Sequence, residues 1–183
     1  MLPLGISILK ASSDDIPQII ALEEASWLDT YPNERLGITQ EDIKARFNDG
    51  FKKTRYEELE KDVLDTTNNL LLLVAKKDGH VVGYCRGLKS QDHNDSVELY
   101  VSAEYRDRGI GNALWQKRFT WFDQNKYTIL EVAEYNANAI RFHEQHGFIQ
   151  DQSLKQPTYE NWHILPNGKK IPVVIMVRKK ECI

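Results

Sequence analysis

Three observations predict a layered α/β fold (α+β layering) built on a mixed, mostly antiparallel sheet. First, residues 70–75 (LLLLVA) and 81–85 (VVGYC) are short apolar runs joined across Asp78-Gly79, the pattern of a hairpin. Second, Val97, Leu99 and Val101 alternate as a strand does, and Gly111, Leu114, Trp115, Phe119 and Phe122 then recur at helical spacing. The next apolar run, 129–132, completes a strand–helix–strand unit long enough for a right-handed parallel crossover. Third, 183 residues with 41% hydrophobic and 28% charged side chains can bury a sizeable core, so residues 1–183 read as a single domain.

In chain order, Ile6 and Ile8 alternate as a first short strand. Residues 12–15 offer caps, Pro17 suits a first helical turn, and Ile16, Ile19, Ile20, Leu22 and Glu23 carry a helix to about Trp27. Pro32 disfavours helix in the residue before it and ends that element. Thr39, followed by Glu41 and Asp42, caps a second helix reaching Phe47. Residues 51–64 are highly charged but keep Tyr56, Leu59 and Val63 at helical spacing, a solvated helix with a narrow apolar stripe. Residues 91–95 read as a polar loop whose His and Asp fit no metal-ligand spacing. Strands are expected at 148–154 and 171–177, and Pro166-Asn167-Gly168 makes a turn after 162–165.

The composition also narrows function. A net charge of −3 argues against a surface that coats nucleic-acid phosphates. Cys85 and Cys182 match no zinc spacing, and Cys85 in a strand reads as a buried free thiol. Residues 1–10 lack the basic start and apolar stretch of a signal peptide, and no run is long enough to span a bilayer. The expectation is a cytoplasmic protein with no metal, no nucleic-acid partner and no membrane partner.

The chemistry-bearing stretch is Arg106-Asp107-Arg108-Gly109-Ile110-Gly111, between strand and helix. Unpaired N–H groups and the macrodipole make a helix N-terminus an anion site, and glycine permits close approach. A P-loop run is missing from the sequence, and the dinucleotide fingerprint fails at Leu114, too bulky for its small third position, although Glu131 lies near the expected acidic one. What remains is Arg106-x-x-Gly109-x-Gly111. Downstream, Asn136, Ala139, Phe142, Gly147 and Phe148 fall in the register N-x-x-A-x-x-F-Y-x-x-x-G-F, with His143 where the pattern has tyrosine.

These two segments, in this order, resemble the GNAT N-acetyltransferase superfamily; the likeness is good from residue 70 to about 154. The resemblance implies the GNAT fold, a central sheet of six to seven strands whose middle two splay apart. It implies acetyl-CoA, its pyrophosphate on Arg106, Asp107, Arg108, Gly109, Ile110, Gly111 and Asn112. The pantetheine arm would pair with the backbone of Leu99, Tyr100 and Val101 and meet Asn136, Ala139 and Phe142. The reaction would be acetyl transfer to a primary amine of a small molecule or peptide, and the C-terminal half looks somewhat like the polyamine-acetylating branch. An alkylammonium must lose a proton before it attacks, which makes Glu98 the favoured base, with Glu131 and Glu134 as alternatives. His143 would stand in for the tyrosine that protonates the departing thiolate. Cys85 as a covalent nucleophile is disfavoured, having no His or Asp partner in sequence reach. Helices after the first strand often shape the acceptor pocket in this family, which brings in Trp27, Tyr31 and Phe51. An acyl-CoA-binding regulatory module without efficient turnover is the alternative, and a homodimer is left open.

Overall fold

Among the described residues seven strands, Ile6–Lys10, Leu70–Lys77, His80–Lys89, His93–Val101, Tyr127–Ala133, Ile149–Gln150 and Val173–Arg178 (β1 to β7 in chain order), make one sheet. Its order is β1-β2-β3-β4-β5-β7-β6, in which β4 and β5 pair in parallel and the other neighbours antiparallel. This is a computed structural model, and it describes residues 3–151, 153 and 161–180. Between β1 and β2 come α1 (Ile16–Thr30), α2 (Gln40–Arg46) and α3 (Asp49–Leu64). Between β4 and β5 comes α4 (Ile110–Trp121), and between β5 and β6 comes α5 (Ala137–Gln145). Among the described residues no helix is long and apolar enough to cross a membrane.

Strand side chains alternate between faces, so each strand serves two cores. On one face Cys85, Leu99 and Val101 pack with Ile110 and Leu114 of α4, while Leu130, Val132 and Met176 meet Trp115 and α5. On the other face Val74, Tyr84 and Tyr100 pack under Ile16 and Ile19 of α1 and Leu59 of α3. Local caps set the helix starts. Thr39 and Asp42 form the expected capping box of α2, and the Asn48 side chain accepts from Phe51 N to cap α3.

The central strands do splay. Pairing between β4 and β5 covers only His93 with Tyr127, Asn94 with Thr128 and Asp95 with Ile129. Beyond Asp95 they part, although β4 runs to Val101 and β5 to Ala133. The cause lies on the other side of β4: Gly87 faces Ser96 but Arg86 faces Glu98, so Val97 is an extra residue. Such a bulge bends its strand and strengthens the local twist.

Two expectations are corrected. Residues 93–95 are strand rather than loop, with Asn94 and Asp95 only 1% and 4% exposed. Polar groups are tolerated there because each is satisfied. Asn94 Nδ2 donates to Asp123 O at 2.9 Å, its Oδ1 accepts from Asp123 N at 3.1 Å, and Asp95 accepts from Ser90 Oγ at 2.7 Å. At the C-terminal side, β6 is only Ile149–Gln150, and residues 152 and 154 of that expected strand lie outside the described residues. The expected Pro166 turn is present, closed by a bridge from Ile164 to Lys170.

Candidate active site

The gap opened by the bulge is lined by unpaired backbone. Ser102 N donates to Val82 O at 2.9 Å, so Gly83 and Val101 oppose each other as a non-hydrogen-bonded pair. By the same alternation Leu99, opposite Cys85, turns its N–H and C=O away from β3 and toward the gap. Tyr100 lies one residue out of phase, so its backbone faces Tyr84; the groups turned to the gap are the N–H and C=O of Leu99 and the N–H of Val101, whose C=O is taken by Arg106 Nε.

The end of β4 leads into a turn with two positive backbone angles, Asp107 (φ 59°) and Gly109 (φ 82°). Gly109 is the N-cap of α4, and the first intrahelical bond runs from Ala113 N to Gly109 O at 3.0 Å. The N–H groups of Ile110, Gly111 and Asn112 therefore lack helical acceptors. A β-carbon on Gly111 would sit 3.6 Å from Phe142 and 3.8 Å from both Leu99 and Val101, which places that glycine at the mouth of the gap. Asn136 caps α5 by accepting from Ala139 N at 3.1 Å through Oδ1, which leaves its Nδ2 available to a ligand.

Both arginines of the turn are exposed, and Arg106 is tied to protein. Arg106 Nε donates to Val101 O at 3.1 Å and its guanidinium pairs with Asp29 near the end of α1. Arg108 lies over the Tyr105 ring, 5.5 Å from its centroid. The backbone N–H groups are what the turn leaves unpaired at the helix start, with Arg106 fastening the loop to α1.

On the α1–α3 face lies a buried charged network. Arg55 reaches Glu98 Oε1 through Nη2 at 2.7 Å and Glu23 Oε2 through Nε at 3.0 Å. Burial works against the Arg55 charge, but Glu98 and Glu23 hold it well above its ordinary range, while burial raises Glu23. Tyr84 donates to Glu23 Oε2 at 3.3 Å, and Trp27 Nε1 donates to the Tyr100 hydroxyl at 3.0 Å. Glu131, one alternative base, accepts from Trp162 Nε1 at 2.6 Å; Glu134 is exposed just past β5. Trp27 and Tyr31 are buried in the cluster that also takes Phe47, with Phe51 and Trp162 packed against it. Burial pushes the Cys85 thiol up to about 11, and its Sγ lies 3.7 Å from Leu114 O, so it is no nucleophile near neutrality.

His143 is on the opposite face of the sheet from the Glu98 carboxylate. Its ring stands 5.3 Å from Phe142 and 5.5 Å from Phe148, and Nδ1 is buried without a hydrogen-bond partner. Burial, then the nearby Arg118 charge and His146, press its pKa down to about 3. It is therefore neutral at working pH and can act only as a neutral N–H donor. Its folded pKa lies below the reference of about 6.5, so its stabilising effect is complete above that value and lost as pH falls toward 3. Melting His143→Phe and wild type in parallel from pH 7 to 4 should show the variant losing less stability on acidification. The same variant should keep cofactor affinity and lose about 10²-fold in turnover or less, with His143→Tyr at or above wild type. Equal turnover in all three proteins would remove His143 from stabilising the departing thiolate.

Sequence reasoning missed four charged residues. Glu23 sits on the apolar stripe Ile16, Ile19, Ile20, Trp27, and Arg55 four residues before Leu59. Arg118 follows Leu114 by four, and its fully buried guanidinium donates to Arg86 O at 2.9 Å and Glu98 O at 2.6 Å, bracing the bulge. A charge on a core stripe was the available signal for these three. Asp29 gave none.

The Acetyltransferase (GNAT) family model matches residues 36–148. An uncharacterised N-acetyltransferase of Lactobacillus delbrueckii subsp. lactis is 26% identical over 164 residues, 80% of this chain and 86% of its own. Another from Methanocaldococcus jannaschii is 31% identical over 110 residues, 58% of this chain and 65% of its own. The crystal structure of a PaiA N-acetyltransferase from Thermoplasma acidophilum in complex with coenzyme A superposes with a TM-score of 0.72. That match is 20% identical and covers 96% of this chain and 99% of that one, a likeness of fold.

Proposed function

Because the chain belongs to the acetyltransferase (GNAT) family and is an acyltransferase, we propose that it transfers acetyl from acetyl-CoA to a primary amine. The acceptor is a small polyamine-like or amino-acid-like molecule, or a peptide, met in the cytoplasm. The observation that carries this reading is the parting of β4 from β5 beside the N-terminus of α4. The residues present fit the cofactor. Leu99 and Val101 offer the backbone edge, Ile110, Gly111 and Asn112 the N–H groups for a pyrophosphate, and Asn136 its amide.

Acetyl-CoA supplies an acetyl group activated as a thioester. Glu98 takes the ammonium proton of the acceptor through Oε2, the buried oxygen that Arg55 does not engage. The Val101 N–H, turned into the gap, is a donor for the oxygen charge that develops during acyl transfer. His143 offers a neutral N–H on the cofactor side.

Thiol release from acetyl-CoA, measured with a panel of polyamines, amino acids and peptides, tests this reading. At least one amine should accelerate release and be recovered acetylated. Tight acetyl-CoA binding with no amine-dependent release would favour the regulatory module instead, a reading that the missing tyrosine at position 143 supports.

A further inference from the structure

The charged network under β4 has a geometry that packing alone does not require. Arg55 approaches three carboxylates with three different nitrogens: Nη2 to Glu98 at 2.7 Å, Nε to Glu23 at 3.0 Å and Nη1 to Glu58 at 3.4 Å. The side chains of Arg55 and Glu23 are each 7% exposed and that of Glu98 15%, whereas Glu58 is 54% exposed and screened by solvent. A guanidinium is a rigid planar fork, so anchoring it at Glu23 also fixes the direction of the nitrogen that meets Glu98. Glu98 then has one oxygen committed, Oε1, and one buried oxygen without a hydrogen-bond partner, Oε2.

We propose that Arg55, anchored by Glu23, is a positioning residue for Glu98: it grips Oε1 so that Oε2 alone is presented to the acceptor ammonium. This inference rests on Glu98 being the base. In the step it serves, one ammonium N–H bond breaks and one Oε2–H bond forms, leaving a neutral amine and a neutral Glu98. The charge count explains the second carboxylate. Before transfer the inner trio of Glu23, Arg55 and Glu98 carries one excess negative charge, faced by the nearby Arg46 of α2, and after it Arg55 is still balanced by Glu23. A buried guanidinium left alone at that moment would be costly.

A double-mutant cycle in kcat at saturating acetyl-CoA tests the inference, with Arg55→Lys, Arg55→Met and Glu98→Gln. Arg55→Met should lower kcat by tenfold or more, with KM for acetyl-CoA unchanged, and should cost nothing further in the Glu98→Gln background. Arg55→Lys keeps the charge without the fork and should recover part of the loss. Should Arg55→Met not fold, the same comparison is made with Arg55→Lys, where a deficit confined to the background that retains Glu98 is expected. Equal losses from an Arg55 substitution in the wild-type and Glu98→Gln backgrounds would overturn the positioning role while leaving Glu98 as base. Wild-type turnover in Glu98→Gln would instead remove the base itself, and this inference with it.

Discussion

Gly111→Ala should raise the melting temperature by about 1–4 °C and weaken acetyl-CoA binding tenfold or more. The two effects have separate causes. Gly111 is the second residue of α4, and the new methyl would meet Phe142, Leu99 and Val101 at 3.6–3.8 Å, ordinary contact distances. Replacing glycine at a compatible backbone site stabilises by about 0.4–1 kcal/mol, chiefly by restricting the unfolded chain, which gives that rise in a chain this long. In the proposed pose the methyl also stands at the mouth of the gap through which the cofactor would reach the N–H groups of the helix, and a tenfold loss is only about 1.4 kcal/mol. Gly109 is a poorer probe, because at φ 82° any β-carbon strains the turn and confuses folding with binding. Thermal melts and calorimetry on Gly111→Ala decide the matter. Unchanged affinity with raised stability would show that no phosphate closes on this turn.

Glu98→Gln should lower kcat by about 10²–10⁴-fold near neutral pH, the range for loss of a general base, with acetyl-CoA affinity unchanged. Glutamine keeps an oxygen for Arg55, and Arg55 keeps Glu23, so the network retains its shape. The deficit should narrow as pH rises toward the acceptor's own pKa, about 10.4 for a lysine-like amine, because free amine then forms without help. A pH–rate profile of wild type and variant reads this directly. Superimposable profiles would pass the role to Glu131 or Glu134.

The parts of the fold read correctly from sequence are those whose signal is local. The hairpin around Asp78-Gly79, the Thr39 capping box and the strand–turn–helix at residues 97–122 each carry their cause within a few residues. The splay of β4 from β5 came only through family resemblance. Its structural origin is one extra residue at Val97, which leaves the alternation of Val97, Leu99 and Val101 untouched and so stays hidden in a periodicity. Asn94 and its neighbour Asp95 read as loop because the strand partner, β5, and the Asp123 backbone that satisfies Asn94 come from a segment some thirty residues on. The site divides the same way. The glycines and Asn136 announce themselves by spacing. The Glu23–Arg55–Glu98 network joins α1, α3 and β4 and becomes visible only once they are packed together.

The most direct measurement of the central claim is a crystal structure of the protein with coenzyme A. The pantetheine arm is expected between β4 and β5 along Leu99 and Val101, with the pyrophosphate against the N–H groups of Ile110 and Gly111. Coenzyme A seated elsewhere, with nothing between the two strands, would contradict it.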